Sequence, residues 1–190
     1  MMNIVIVGVG GQGTLLASKI LGTLAQNNNY DVRVSEVHGM SQRGGSVVTY
    51  VRMSNDIKLY STIVEQEQAD VVLAFENLEA LRSLPYIKHG GTMIVNTQEI
   101  LPMPVITGAA EYPSDCLERI KAVVNTIALD ATGIAHECGT YRAANVVLLG
   151  VLAKKMPFAR EEWITAITEN VKPKFLEMNI KAFDRGYDIN

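Results

Sequence analysis

The stretch Ile4-Val5-Ile6-Val7-Gly8-Val9-Gly10-Gly11-Gln12-Gly13-Thr14-Leu15-Leu16-Ala17-Ser18-Lys19-Ile20-Leu21 decides the fold. Its first four residues are a continuous apolar run, the pattern of a short strand buried on both faces. From Gly13 to Ala25 the apolar residues Leu15, Leu16, Ala17, Ile20, Leu21 and Leu24 carry a helical period, and Asn27-Asn28-Asn29 ends the run. Asp31–Val37 alternates through Val32 and Val34 and reads as a second strand. Strand, helix and strand in roughly 35 residues is the size of a β–α–β unit. The chain is therefore predicted to be α/β, with a single doubly wound, Rossmann-like, mostly parallel sheet.

Working outward, Val37–Ser46 is too short for the helical crossover that a parallel return needs. A β-hairpin excursion is predicted in its place, from Val47–Met53 and Ile57–Val64 around Ser54-Asn55-Asp56. The α/β rhythm then resumes. Asp70–Phe75 reads as a strand, Asn77–Tyr86 as a helix closed by Gly90-Gly91, and Thr92–Asn96 as a strand. Pro102-Met103-Pro104 marks a connection, Ser114 caps a helix to Val123, and Thr126–Leu129 is a strand. The C-terminal third is predicted helical over Thr140–Lys155, Arg160–Asn170 and Lys174–Tyr187. Leu176, Ile180, Phe183 and Tyr187 form one stripe, read either as packed on the sheet or as a face for a partner.

Composition narrows the class. At 190 residues the chain is one domain long, with 48% apolar and 19% charged residues, which excludes disorder. The net charge of −3 lacks the basic excess of sequence-independent nucleic-acid binding. No apolar stretch reaches the ~18–20 residues of a membrane span, and Met1-Met2-Asn3 has no basic leader, so a cytoplasmic protein is expected. Cys116 and Cys138 stand 22 residues apart. They can supply neither a zinc ribbon nor the about four thiolates of an iron–sulfur cluster, and His38, His89 and His136 add no metal set.

Two segments carry chemistry. Gly8-Val9-Gly10-Gly11-Gln12-Gly13 contains G-x-G-x-x-G after a strand and before a helix. In that context Gly8 permits the turn, Gly10 admits a pyrophosphate to the backbone and Gly13 lets helix and strand pack. Free N–H groups at the helix start favour an anion. Glu36, at the end of the second strand, stands where an acid binds a ribose hydroxyl in dinucleotide enzymes. The plainer reading of the turn is a short β–α connection. His38-Gly39-Met40-Ser41-Gln42-Arg43-Gly44-Gly45 places an imidazole, a hydroxyl, an amide and a guanidinium among glycines, near the carboxyl ends of the strands where ligands bind. Its plainer reading is a polar corner. Tyr141, Arg142 and Asn145 open the apolar late helix, and either cap it or face the active site.

GVGGQGTLLASKILG together with EVHGMSQRGGSVVTYVR resembles the gamma domain of the 2-oxoacid:ferredoxin oxidoreductases, and of these the indolepyruvate-acting branch. Ala69–Arg82, Gly90–Asn96 and Arg142–Ala153 extend the likeness over nearly the whole chain, residues 1–190. The resemblance implies oxidative decarboxylation of an aryl 2-oxoacid to an acyl-CoA in anaerobes, with thiamine diphosphate and magnesium, iron–sulfur clusters and ferredoxin as electron acceptor. Asn27-Asn28-Asn29 lacks the Gly-Asp-Gly half of the usual thiamine diphosphate motif. The resemblance therefore places thiamine and clusters on a larger alpha partner subunit, with no catalytic residue here and CoA as cosubstrate. The positions carried over as cofactor-facing are Gly8, Gly10, Gly11, Gly13, His38, Ser41, Gln42, Arg43, Gly44 and Gly45. Two alternatives stand beside this reading: a free-standing NAD(P) dehydrogenase using Gly8–Gly13 and Glu36, and an interaction module without a ligand.

Overall fold

The computed structural model describes residues 1–39 and 44–189. Six strands form one sheet: β1 (Met2–Val9), β2 (Asp31–His38), β3 (Ser46–Ser54), β4 (Ala69–Ala74), β5 (Ile87–Asn96) and β6 (Asn125–Leu129). The order across the sheet is β2-β3-β1-β4-β5-β6. β1, β4, β5 and β6 pair in parallel, and β3 pairs antiparallel with both β2 and β1. The α/β, mostly parallel sheet read from the sequence is the one observed.

The hairpin, however, is displaced by one strand from its predicted position. Its arms are β2 and β3, joined through the Gly39–Gly45 segment, and Ile57–Val64 forms no strand. Both edges of β3 are already occupied, so no ladder is left for a second arm. The segment instead lies across the sheet with its main chain held by side chains. Leu59 N donates to Asp31 Oδ2 at 2.6 Å, and Arg33 Nε donates to the Leu59 carbonyl at 3.0 Å. Arg52 Nη1 donates to the carbonyls of Ser61 and Ile63. Leu59 and Val64 are buried and serve where a crossover helix would otherwise cover the sheet.

The helices are α1 (Thr14–Asn27), α2 (Asn77–Arg82), α3 (Met103–Ile106), α4 (Cys116–Lys121), α5 (Ala131–Glu137), α6 (Ala144–Ala153), α7 (Arg160–Asn170) and α8 (Pro173–Tyr187). Strand alternation sorts the core into two layers. Ile4, Ile6, Leu73 and Ile94 point toward α1, α5, α6, α7 and α8. Val5, Val7, Val72, Met93 and Val95 point toward α2 and α4. Each such side chain, fully buried, contributes about 1.5–3 kcal/mol. Among the described residues no helix is long and apolar enough to cross a membrane.

Several boundaries differ from the sequence reading. α2 stops at Arg82 and a 3-10 turn, Leu84–Tyr86, replaces its last turn, because Pro85 has no N–H and disfavours helical backbone before it. Gly90 and Gly91 lie inside β5 rather than closing a helix. The helix after Ser114 starts at Cys116, and Ser114 does not cap it. The late helix opens with a 3-10 turn, Tyr141–Ala143, before α6. α3 and α5 were not read from the sequence.

α8 lies directly on α6, not on the sheet. A Cβ on Gly150 would stand 2.2 Å from the Phe183 carbonyl oxygen, and one on Gly186 would stand 2.0 Å from that of Val147. The two backbones therefore touch where each helix has glycine. The stripe of Leu176, Ile180, Phe183 and Tyr187 turns inward, onto the layer containing α6.

Candidate functional site

β1 leads into α1 on one face of the sheet and β4 leads into α2 on the other. Helices leaving adjacent parallel strands in opposite directions open a crevice at the carboxyl ends, the usual ligand position in such sheets. A cavity of about 530 Å³ lies there. Its floor is Phe75 with Asn96, the last residue of β5, and Gln98 beyond it. The cavity is also lined by Gly11, Gln12 and Gly13 of the glycine turn, and by Tyr141 and Arg142 of the turn before α6 with Asn145 in its first turn.

The floor is a set of neutral amides. Gln12 Oε1 accepts from Val9 N at 2.7 Å, while its Nε2 donates to the Phe75 carbonyl at 2.8 Å and to Gln98 Oε1 at 3.0 Å. Asn96 Nδ2 donates to the same Phe75 carbonyl at 3.1 Å and to Thr132 Oγ1 at 3.0 Å. Asn96 Oδ1 accepts from Ala131 N at 3.0 Å. Gln12 and Asn96 thus converge on one main-chain carbonyl and join the ends of β1, β4 and β5 to the start of α5. Such a network is rigid because each buried amide is partnered.

The glycines divide by role. Gly8 faces inward: a Cβ there would stand 2.9 Å from Gln12 Oε1 and 3.0 Å from Phe75 Cβ. Gly13 has φ 88°, and a Cβ there would stand 2.6 Å from Asn145 Nδ2. Its close approach is to α6, where Asn145 Nδ2 donates to the Gly13 carbonyl at 3.2 Å. Gly10 N donates to the Gly45 carbonyl at 2.9 Å, which ties the turn to the end of the following loop. Gly11 has φ 104°, a Cβ there would meet nothing within 4 Å, and the residue is open to the cavity.

Gly45, the last residue of the loop, thus lies beside the glycine turn, as the loop's place after β2 requires. His38 and Gly44 are exposed and do not line the cavity. Ser41, Gln42 and Arg43 lie outside the described residues.

Glu36 does not stand beside β1, because β3 intervenes and sets it two strand spacings away. Its Oε2 accepts from Thr49 Oγ1 at 3.1 Å and Thr14 Oγ1 at 3.4 Å. The carboxylate reaches the start of α1 from β2, but it is engaged there by two threonines, so the dinucleotide reading loses a free acid for the ribose.

A second carboxylate, this one buried, follows Phe75 at the end of β4. Glu76 accepts from Glu79 N at 2.8 Å, Ile100 N at 3.1 Å and the Tyr112 hydroxyl at 2.7 Å. It caps α2 and holds the Thr97–Tyr112 connection in place. Burial, reinforced by the hydrogen bond to Glu76, holds the Tyr112 phenol well above its usual range. Burial likewise pushes the Cys116 thiol up, and its Sγ donates to the Pro113 carbonyl at 3.2 Å. Cys116 and Cys138 are both buried and free, in keeping with packing rather than redox work. Among the described residues no group of three or more His, Cys, Asp or Glu side chains converges as a metal site.

Sequence reasoning singled out Gly11 and Gly13 and left Tyr141, Arg142 and Asn145 undecided between a helix cap and the site. It missed Gln12, Asn96, Gln98 and Thr132. The available signal was polar residues at the carboxyl end of a strand buried on both faces, at Asn96 and Gln98.

The sheet order and the crevice define a doubly wound α/β protein with a cavity at the carboxyl ends of its parallel strands. Its sequence relatives are more specific. The family described as pyruvate ferredoxin/flavodoxin oxidoreductase matches residues 3–189, and the chain belongs to that family. It is 46% identical to the indolepyruvate oxidoreductase subunit IorB of Pyrococcus horikoshii, over 97% of this chain and 93% of that one. It is 28% identical to the pyruvate/ketoisovalerate oxidoreductases common subunit gamma of Thermococcus kodakarensis, over 95% and 92%. Among solved structures, the keto/oxoacid ferredoxin oxidoreductase gamma subunit of Geobacter sulfurreducens superposes with a TM-score of 0.74 at 24% identity, over 99% of this chain and 97% of that one. A 2-oxoglutarate:ferredoxin oxidoreductase of Magnetococcus marinus, with 2-oxoglutarate, coenzyme A and succinyl-CoA bound, superposes with a TM-score of 0.75 at 21% identity. The match covers 98% of this chain but 30% of that chain. The chain is thus the small, gamma-type subunit of an oxidoreductase of this family.

Proposed function

We propose that this chain is the small subunit of a cytoplasmic oxidoreductase acting on indolepyruvate and related aryl 2-oxoacids. The assembled enzyme combines the 2-oxoacid with CoA to give an acyl-CoA and carbon dioxide, and passes two electrons to ferredoxin. Thiamine diphosphate with its magnesium ion, and the iron–sulfur clusters, belong to a larger alpha subunit. Bound there, they supply the decarboxylation and the electron relay. This chain, one gamma-type domain over residues 1–190, closes the site and receives part of CoA in the cavity over its sheet.

The observation that carries this reading is the chemistry of the cavity. Among the described residues its lining offers amides, hydroxyls and one guanidinium, and no carboxylate, imidazole or thiol. Such a wall binds and orients but has no group to take a proton or attack a carbonyl near neutral pH. Further support is the 46% identity to a subunit named for indolepyruvate oxidoreductase, and the CoA-bearing relative in which the same fold occupies under a third of a longer chain. The glycine turn and the loop, with Gly8, Gly10, Gly11, Gly13, His38, Ser41, Gln42, Arg43, Gly44 and Gly45, are proposed to line the joint with the larger subunit and its cofactors.

The test is reconstitution. The purified chain is expected to leave a viologen dye oxidised when given indolepyruvate and CoA. Co-purification from the native source is expected to bring a larger subunit rich in iron and thiamine, and with it dye reduction. Dye reduction by the 190-residue chain alone would overturn the assignment.

A further inference from the structure

The turn before α1 has the sequence of a phosphate cradle, yet the protein's own groups already occupy much of it. Glu36 lies at the first turn of α1, with Oε2 3.4 Å from Thr14 Oγ1, so a carboxylate already faces the positive end of that helix. Asn145 closes the Gly13 side, and Gly10 N is spent on Gly45. A second anion at the same helix end would meet Glu36 as a like charge.

The lining from the turn before α6 differs. Arg142 is the one charged side chain lining the cavity among the described residues. It is exposed, stands on the 3-10 turn that opens α6, lies 5.9 Å over the centre of the Tyr141 ring, and forms no salt bridge with a carboxylate among the described residues. The neighbouring Tyr141 ring is also exposed and also lines the cavity. Thr140 Oγ1 accepts from Arg142 N at 3.3 Å and fixes the turn that presents both.

We infer that Arg142, and not the amino end of α1, is the anion-recognising and specificity-determining residue of this cavity, its fork of donors taking a phosphate oxygen of the ligand. A planar guanidinium suits a phosphate better than an ammonium does, and over a wall of neutral amides its charge is uncontested. The inference deepens the proposal that the cavity receives CoA, and separates from it in the test.

The test is calorimetric titration of the full chain with CoA and, separately, with inorganic pyrophosphate, at two salt concentrations. R142A, R142K, E36Q and the R142A/E36Q pair are compared with the parent. Arg142 is exposed, so its variants are expected to fold, and circular dichroism checks this. R142A is expected to weaken both ligands about tenfold or more and to flatten the salt dependence, with partial rescue by R142K. E36Q is expected to change affinity less than twofold. Equal affinity in R142A and parent overturns the assignment to Arg142 and leaves the CoA proposal standing. Recovery of affinity in R142A/E36Q over R142A places the anion at α1 and also overturns it. Pyrophosphate binding that depends on Arg142, without CoA binding, upholds the assignment and overturns the CoA proposal. Binding of neither ligand overturns both.

Discussion

Asn145 Nδ2 donates to the Gly13 carbonyl at 3.2 Å, joining two positions 132 residues apart. That contact fixes the angle between the glycine turn and α6, and so the width of the cavity between them. Gly13 accommodates it only because it has no side chain and sits at φ 88°.

Gly13→Ala is therefore expected to destabilise the chain by about 1–3 kcal/mol, through a strained left-handed backbone and a Cβ 2.6 Å from the Asn145 amide. Urea denaturation measures the loss. Adding Asn145→Ala relieves the clash but not the strain, so the double variant is expected to remain less stable than Asn145→Ala alone.

The α6–α8 contact makes a sharper prediction. Gly150→Ala or Gly186→Ala places a methyl about 2 Å from a carbonyl oxygen of the facing helix. The helices must separate, at a cost of about 3 kcal/mol or more. A large fall in thermal midpoint is expected for either, and α8 should lose protection from amide exchange before the sheet does.

Gln12→Ala removes three hydrogen bonds at the crevice but leaves the Phe75 carbonyl its bond from Asn96. The buried Val9 N–H loses its acceptor. A loss of about 1–3 kcal/mol is expected, read by chemical denaturation. In the reconstituted enzyme the KM for CoA is expected to rise more than kcat falls.

Alkaline pH should unlock the other face. Burial first, then the hydrogen bond and charge of Tyr86, push Tyr50 up to about 12, and the two hydroxyls lie 2.9 Å apart. A phenol raised in the folded state adds stability that is complete below the unfolded value of about 10 and is lost as pH rises through about 12. Tyr112, raised for the same reasons beside Glu76, acts in the same direction. Stability measured from pH 9 to 12 is expected to fall, and to fall less steeply in Tyr50→Phe.

Much of the fold was legible because it rests on local pattern. The apolar run Ile4–Val7, the glycine turn and the helical period to Ala25 specify β1, its turn and α1 with almost no outside help. β4 and the second half of β5, Thr92–Asn96, read the same way, being buried on both faces, whereas the largely exposed first half of β5, with Gly90 and Gly91, did not read as strand. The second hairpin arm was not legible: Ile57–Val64 alternates like a strand, and only the filling of both edges of β3 denies it a ladder. α5 escaped notice because seven residues are too few to show a period. In the site, Gly11 and Gly13 followed from the motif, whereas Gln98 and Thr132 enter only through contacts across strands.

The sequence by itself determined that the chain is α/β, that a glycine turn opens its first helix, and that two cysteines cannot hold a cluster. Each is a matter of local periodicity or of counting ligands. Only the tertiary structure decided that β3 lies between β1 and β2, that Glu36 is spent on Thr14 and Thr49, and that Arg142 lines the same cavity as the glycine turn. Strand order and the facing of distant side chains depend on which edges and surfaces remain free once the core has closed. No local pattern in the chain records that.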